Sequence, residues 1–87
     1  MNTVEKMEIK KELWKFVKDV NEEITLENLP EGNIDLAVEF GFDSLMIIEL
    51  ITLIEEQYGF EFDFETIDIE GLYNFEELVA IIEQNKM

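Results

Sequence analysis

The chain has no cysteine and no histidine, and only one proline and four glycines in 87 residues. Without thiols there is no disulfide and no thiolate metal site, and without an imidazole the commonest general base is missing. Ser44 is the only serine, and none of the six lysines lies between residues 18 and 86. A serine nucleophile activated by a neighbouring base would therefore need a distant partner. Long apolar runs are absent as well: the greasiest stretch, Leu45 to Ile54, is broken by Glu49, and Met1 to Val20 holds no charged leader followed by an apolar run. We expect no signal peptide, no membrane span and a cytoplasmic location.

Positive charge is scarce and unevenly placed. Twenty-two acids against six lysines leave a net charge of -16. Residues 1 to 18 hold five Lys and three Glu, whereas residues 19 to 87 hold one Lys and nineteen acids. Such a surface repels nucleic-acid backbone and lipid headgroups and steers basic protein patches toward it. What is plentiful is apolar side chain, at 47%. That is enough to offset the entropy of ordering, so a single small domain over residues 1–87 with a thin core is expected.

The apolar residues recur at helical spacing. Asn2 with Glu5 fits a capping box, and Ile9, Leu13, Phe16, Val17 and Val20 form one stripe, which predicts a helix from about Thr3 to about Val20. Trp14 and Met7 sit off that stripe, so Trp14 should cover the rim of the core. Lys11, Lys15 and Lys18 share another face, read as solvated, where Glu8 can pair with Lys11. Asn21 to Phe42 has no sustained period and is punctuated by Pro30 and Gly32, so it reads as a tethered loop with one short helical turn. Its Leu26, Leu29, Ile34, Leu36, Val38 and Phe40 are expected to tuck into the core. A second long helix runs from Ser44 to about Tyr58, closed by Gly59, with Ile47, Leu50, Ile51, Ile54 and Tyr58 facing inward. Phe60, Phe62 and Phe64 alternate with acids, but a lone strand would have no ladder partner, so they predict an extended connector into a short helix over about Glu65 to Ile69. Asn74 and Glu77 form a capping-box pair for a last helix from about Phe75 to Gln84. The aromatic residues Phe62, Phe64 and Phe75 suggest a filled interior.

The chain is organised around Gly41-Phe42-Asp43-Ser44-Leu45, a turn that hands over to a helix with the serine in its first turn. Asp43 is a good N-cap, and a helix start is where free amides and the macrodipole favour a phosphate. The bland reading is a helix cap and nothing more. This turn, followed by an apolar and acidic helix, resembles the modification site of acyl and peptidyl carrier proteins, and the resemblance covers residues 4 to 84. It implies a small all-α four-helix bundle: three main helices, one short third helix and a long loop between the first two. It implies 4'-phosphopantetheine carried covalently on Ser44, with Asp43 and Leu45 completing the cofactor site. It also implies no catalysis by the chain itself. Met46, Ile48, Glu49, Thr52, Glu55 and Glu56 are the expected partner-binding residues. The implied partners are a phosphopantetheinyl transferase, an acyl- or aminoacyl-loading ligase, and synthase or transferase enzymes with basic docking patches, met by the monomer. Fatty-acid carriers commonly have an acid after Ser-Leu, where this chain has Met46. That departure points toward polyketide, nonribosomal-peptide or D-alanyl carriers, although the overall charge remains of the fatty-acid kind.

Other chemistry fits less well. No window has the alternating oxygen ligands, sixth-position Gly and twelfth-position Glu of an EF-hand loop, so no metal site is expected. A small bundle offers no cleft of enzyme size for paired carboxylates. An acidic interaction protein that mimics nucleic acid would use the charge but leaves the Gly41 to Leu45 turn unexplained.

Overall fold

A computed structural model describes residues 3–86. Among them are four α-helices, α1 (Thr3–Val20), α2 (Leu36–Phe40), α3 (Ser44–Tyr58) and α4 (Phe75–Asn85), and one 3-10 helix (Ile69–Tyr73). Helix α1 packs against both α3 and α4, and the 3-10 helix packs against α4. The described residues form no strand; Asp35 and Asn74 make an isolated antiparallel bridge. The all-α expectation therefore holds, as do the starts of the three long helices. The Asn2 capping box lies outside the described residues.

Each long helix turns its predicted stripe inward. Ile9, Leu13 and Val17 of α1 meet Ile47, Leu50, Ile51 and Ile54 of α3 and Phe75, Leu78, Val79 and Ile82 of α4 in one buried cluster. Burying each such side chain stabilises the fold by about 1.5–3 kcal/mol, offset by the entropy of ordering the chain. Trp14 corrects the reading that put it at the rim. It is 3% exposed and belongs to the core, because its indole Nε1–H finds an acceptor in the Glu27 carbonyl at 3.2 Å. The ion pairs among the described residues are Lys10–Glu76, Lys15–Glu12 and Lys86–Glu5, and the expected Glu8–Lys11 pair does not form.

The long loop is tethered at a few points only. Ile34 and Leu36 are buried, and Leu29 and Phe40 are half-buried against the core. Leu26 and Val38 instead stand exposed, at 50% and 81%. Phe75 donates its N–H to the Ile34 carbonyl at 2.9 Å, and Asn21 Nδ2 donates to the Phe40 carbonyl at 2.7 Å. The loop's helical turn is α2, whose N-cap Asp35 accepts from Ala37 and Val38 through Oδ1, and whose end is closed by Gly41 at φ 66°. That left-handed conformation is the one glycine adopts without steric cost.

The short helix after the connector lies further along than expected. Asp63 closes a turn of its own, accepting from Glu65 through Oδ1 and from Thr66 and Ile67 through its carbonyl. Asp68 then starts the 3-10 helix by accepting from Glu70 N–H at 3.0 Å. The second start prevails because it delivers Leu72 into the core at 1% exposure, whereas residues 63–66 are all exposed. Phe64 is likewise no core residue. It is 54% exposed and stacks on the buried Phe62 with ring centroids 6.4 Å apart.

Tyr58, expected inward, is half-buried, and burial together with the nearby Glu12 carboxylate raises its phenol above the ordinary 10.0. The neutral phenol is thus favoured by the folded state, and its contribution is intact below the unfolded value and lost as pH climbs through the raised one. Thermal stability should therefore fall as the pH is taken above about 10, and Tyr58→Phe should flatten that fall. An identical alkaline slope in the variant, followed by calorimetry, would show that other groups cause it.

Candidate functional site

The turn into α3 is built by two caps in succession. Gly41 closes α2, Phe42 drops into the core at 4% exposure while donating its N–H to the Leu36 carbonyl at 3.1 Å, and Asp43 opens α3. Asp43 Oδ1 accepts from Met46 N–H at 2.9 Å and its carbonyl accepts from Ile47 N–H at 3.0 Å. The buried phenyl ring and the cap together hold the next residue, Ser44, on the outside. Ser44 is exposed, and the amides of Ser44 and Leu45 have no protein acceptor among the described residues. Two free N–H groups at the positive end of a 15-residue helix favour negative charge there.

The outer face of α3 continues from that point. Leu45 and Ile48 are 64% and 58% exposed, and Glu49, Thr52 and Glu56 are exposed with them. Met46 is different: it is half-buried and lines a groove of about 550 Å³ with Val20, Asn21, Phe40 and Gly41. The apolar patch beside Ser44 therefore rests on Leu45 and Ile48, with Met46 as its floor. Glu55 also has an inward task, since its half-buried carboxylate accepts Phe62 N–H through Oε2 at 2.8 Å and so anchors the aromatic connector to α3. Thr52 Oγ1 donates back to the Ile48 carbonyl at 2.9 Å.

Sequence reasoning placed the turn, and Leu45, Ile48, Glu49, Thr52 and Glu56 on the outer face, where they are found, but put half-buried Met46 and Glu55 there too and missed how the loop supports them. The bond from Asn21 to the Phe40 carbonyl ties the end of α1 to the end of α2, directly before the site. The one local signal for α2 was Asp35 followed six residues later by Gly41, a start and a stop for a single helical turn. No group of acids among the described residues is placed to hold a metal ion. Nor is any helix there long and apolar enough to cross a membrane.

As a class, this is a small helical bundle with an exposed serine hydroxyl at the capped start of α3. Residues 16–82 match the family described as phosphopantetheine attachment site. An acyl carrier protein of Coprothermobacter proteolyticus is 33% identical over 86 residues, covering 94% of this chain and 95% of that protein. The chain belongs to the phosphopantetheine-binding acyl carrier family, whose members carry covalent 4'-phosphopantetheine and are carriers, not catalysts. No solved structure matches it.

The residues at the start of α3 fit that cofactor. A phosphodiester needs an accessible hydroxyl and compensation for its charge in an acidic chain. Exposed Ser44 supplies the first and the unpaired amides of Ser44 and Leu45 the second.

Proposed function

We propose that Ser44 carries the 4'-phosphopantetheine and that the chain is a discrete carrier of acyl or aminoacyl groups. The pathway is of the fatty-acid, polyketide, nonribosomal-peptide or D-alanyl type. The observation that supports this best is that the only serine stands exposed at the capped start of α3, beside exposed Leu45 and Ile48. The name of the Coprothermobacter relative favours acyl cargo. When bound, the cofactor supplies a mobile thiol that holds the cargo as a thioester.

The chain's own residues position and recognise. Asp43 fixes the turn so that the Ser44 hydroxyl projects, and the helix start offsets the charge of a phosphodiester by about 0.3–1 kcal/mol. Leu45, Met46 and Ile48 offer apolar contact to a docked enzyme, while Glu49, Thr52 and Glu56 face its basic residues. Glu55 contributes charge from a more constrained position. Docking raises the effective concentration of the tethered group at the partner's active site. Incubation with coenzyme A and a broad-specificity phosphopantetheinyl transferase, followed by fragmentation mass analysis, tests the assignment. One group on Ser44 is expected; a group on another residue, or none, overturns it.

Docking electrostatics have a separate test. Glu49→Lys with Glu56→Lys should slow cofactor transfer by about tenfold at low salt, through the association step, and the deficit should shrink as salt rises. A deficit that ignores salt would mean that packing, not charge, is being read. Glu55→Lys is the poorer probe, because it also removes the acceptor of Phe62 N–H, a bond worth about 1 kcal/mol.

A further inference from the structure

A second surface, on the far stripe of α1, has the opposite chemistry. Met7, Lys10, Lys11, Trp14, Lys15 and Lys18 recur at spacings of three and four, so they share one face of the helix. With Glu27, Asn28 and Leu29 as the opposite wall, they line a groove of about 410 Å³. The groove is held in shape. The Glu27 carbonyl accepts both Trp14 Nε1–H at 3.2 Å and Lys18 Nζ at 3.1 Å, which clamps the loop against the helix. Four of the chain's six lysines are gathered here, in a protein whose net charge is -16.

The lysines are not equally engaged. Lys18 is committed to the Glu27 carbonyl and Lys10 to Glu76 at 3.1 Å. Lys15 meets Glu12 only at 3.9 Å and keeps a 69% exposed side chain, and Lys11 is exposed with no ion pair among the described residues. The two available lysines are rooted one turn apart on α1, about 6 Å along the axis. Apolar surface flanks them: Met7, 52% exposed, lies one turn before Lys11, and Leu29 lines the opposite wall. Two cations at that spacing with apolar groups beside them match a helix that carries carboxylates one turn apart next to a large aliphatic side chain.

We propose that this groove docks an acidic amphipathic helical segment of a partner protein, separately from the surface around Ser44. Charge complementarity selects the occupant. The screening length in physiological salt is about 8 Å, and the molecule measures 31 × 30 × 21 Å. The residues lining the groove carry four lysines against one glutamate, Glu27, so a ligand seated there meets a locally positive face even with Glu12 and Glu76 beside Lys15 and Lys10. A second copy of the chain, or an anionic bilayer, must instead bring a large negative surface against the whole of this one. The carrier thus has two faces of opposite sign, one for enzymes with basic patches and one for an acidic tether.

The single tryptophan makes the groove observable. The 15N-labelled unmodified chain would be titrated with a fluorescently tagged synthetic helix of Ala, Leu and Glu, and with the same helix bearing Lys in place of Glu. The acidic helix should bind saturably, move the lone indole N–H resonance of Trp14, and weaken as salt is added. Lys11→Glu with Lys15→Glu should weaken it by at least about tenfold, with the Gln pair between. Both lysines are exposed, so the variants should keep the parent circular dichroism. The basic helix should leave the Trp14 resonance in place. No saturable binding of the acidic helix, or binding indifferent to the lysine variants, would overturn the proposal. So would a Trp14 shift produced by raising the concentration of the chain alone, by phosphatidylglycerol vesicles or by dodecanoate, which would assign the groove to a second copy, a lipid surface or a small anionic ligand. Attachment at Ser44 is read by mass and is untouched by any of these outcomes.

Discussion

Ser44→Ala is expected to abolish cofactor attachment while leaving the fold intact. The hydroxyl is exposed, and alanine is at least as good a helix former as serine, so the stability change should stay within about 0.5 kcal/mol. The loss of modification should nonetheless be complete, because the chain offers no second serine to take the group. Asp43→Ala separates position from chemistry. It removes the acceptor of Met46 N–H, should cost about 1 kcal/mol, and should slow attachment without preventing it. Intact mass after transferase treatment, beside a thermal melt, reads both effects. A Ser44→Ala chain that still gains the group would end the assignment.

Phe75→Ala should have the largest effect on stability. The ring is 1% exposed at the start of α4, on the residue whose N–H holds the Ile34 carbonyl. Deleting it should cost about 3–5 kcal/mol. The whole fold is expected to be worth only on the order of 4 to 13 kcal/mol at this length. The melting temperature should drop by more than about 15 °C. The consequence reaches the site, since the loop from Asn21 to Phe42 leads into Asp43 and is pinned to α4 at Ile34. A loss below about 1 kcal/mol by denaturant titration would contradict the packing described. Asn74→Ala, one residue earlier, removes only the cap on Glu77 N–H and should cost about 1 kcal/mol.

What could be read from the chain, and what could not, follows a physical division. The stripes of α1, α3 and α4 were legible because one-sided burial writes a period into the residues themselves. The caps at Asp43, Asn74 and Gly59 were legible because they satisfy groups only a few residues away. Trp14 was misplaced because its burial depends on a carbonyl thirteen residues on, at Glu27. Val38 and Leu26 were misplaced because a loop residue's exposure follows from where the loop is pinned, and pinning α2 through buried Leu36 turns Val38, about 200° further round, to the outside. The lysine stripe was visible, but its groove was not, since the opposite wall comes from residues 27–29.

By itself, then, the order of residues determined an all-helical chain with a lone serine set at a capped helix start, because helix period and capping are local and are settled within a turn or two. Only the tertiary structure decided that Ser44 and Leu45 stand clear of the core while Met46 is half covered, that Glu55 serves a neighbouring backbone, and that four lysines converge on one groove. Those outcomes depend on which distant segments come to lie against each helix, and no spacing along the chain encodes that.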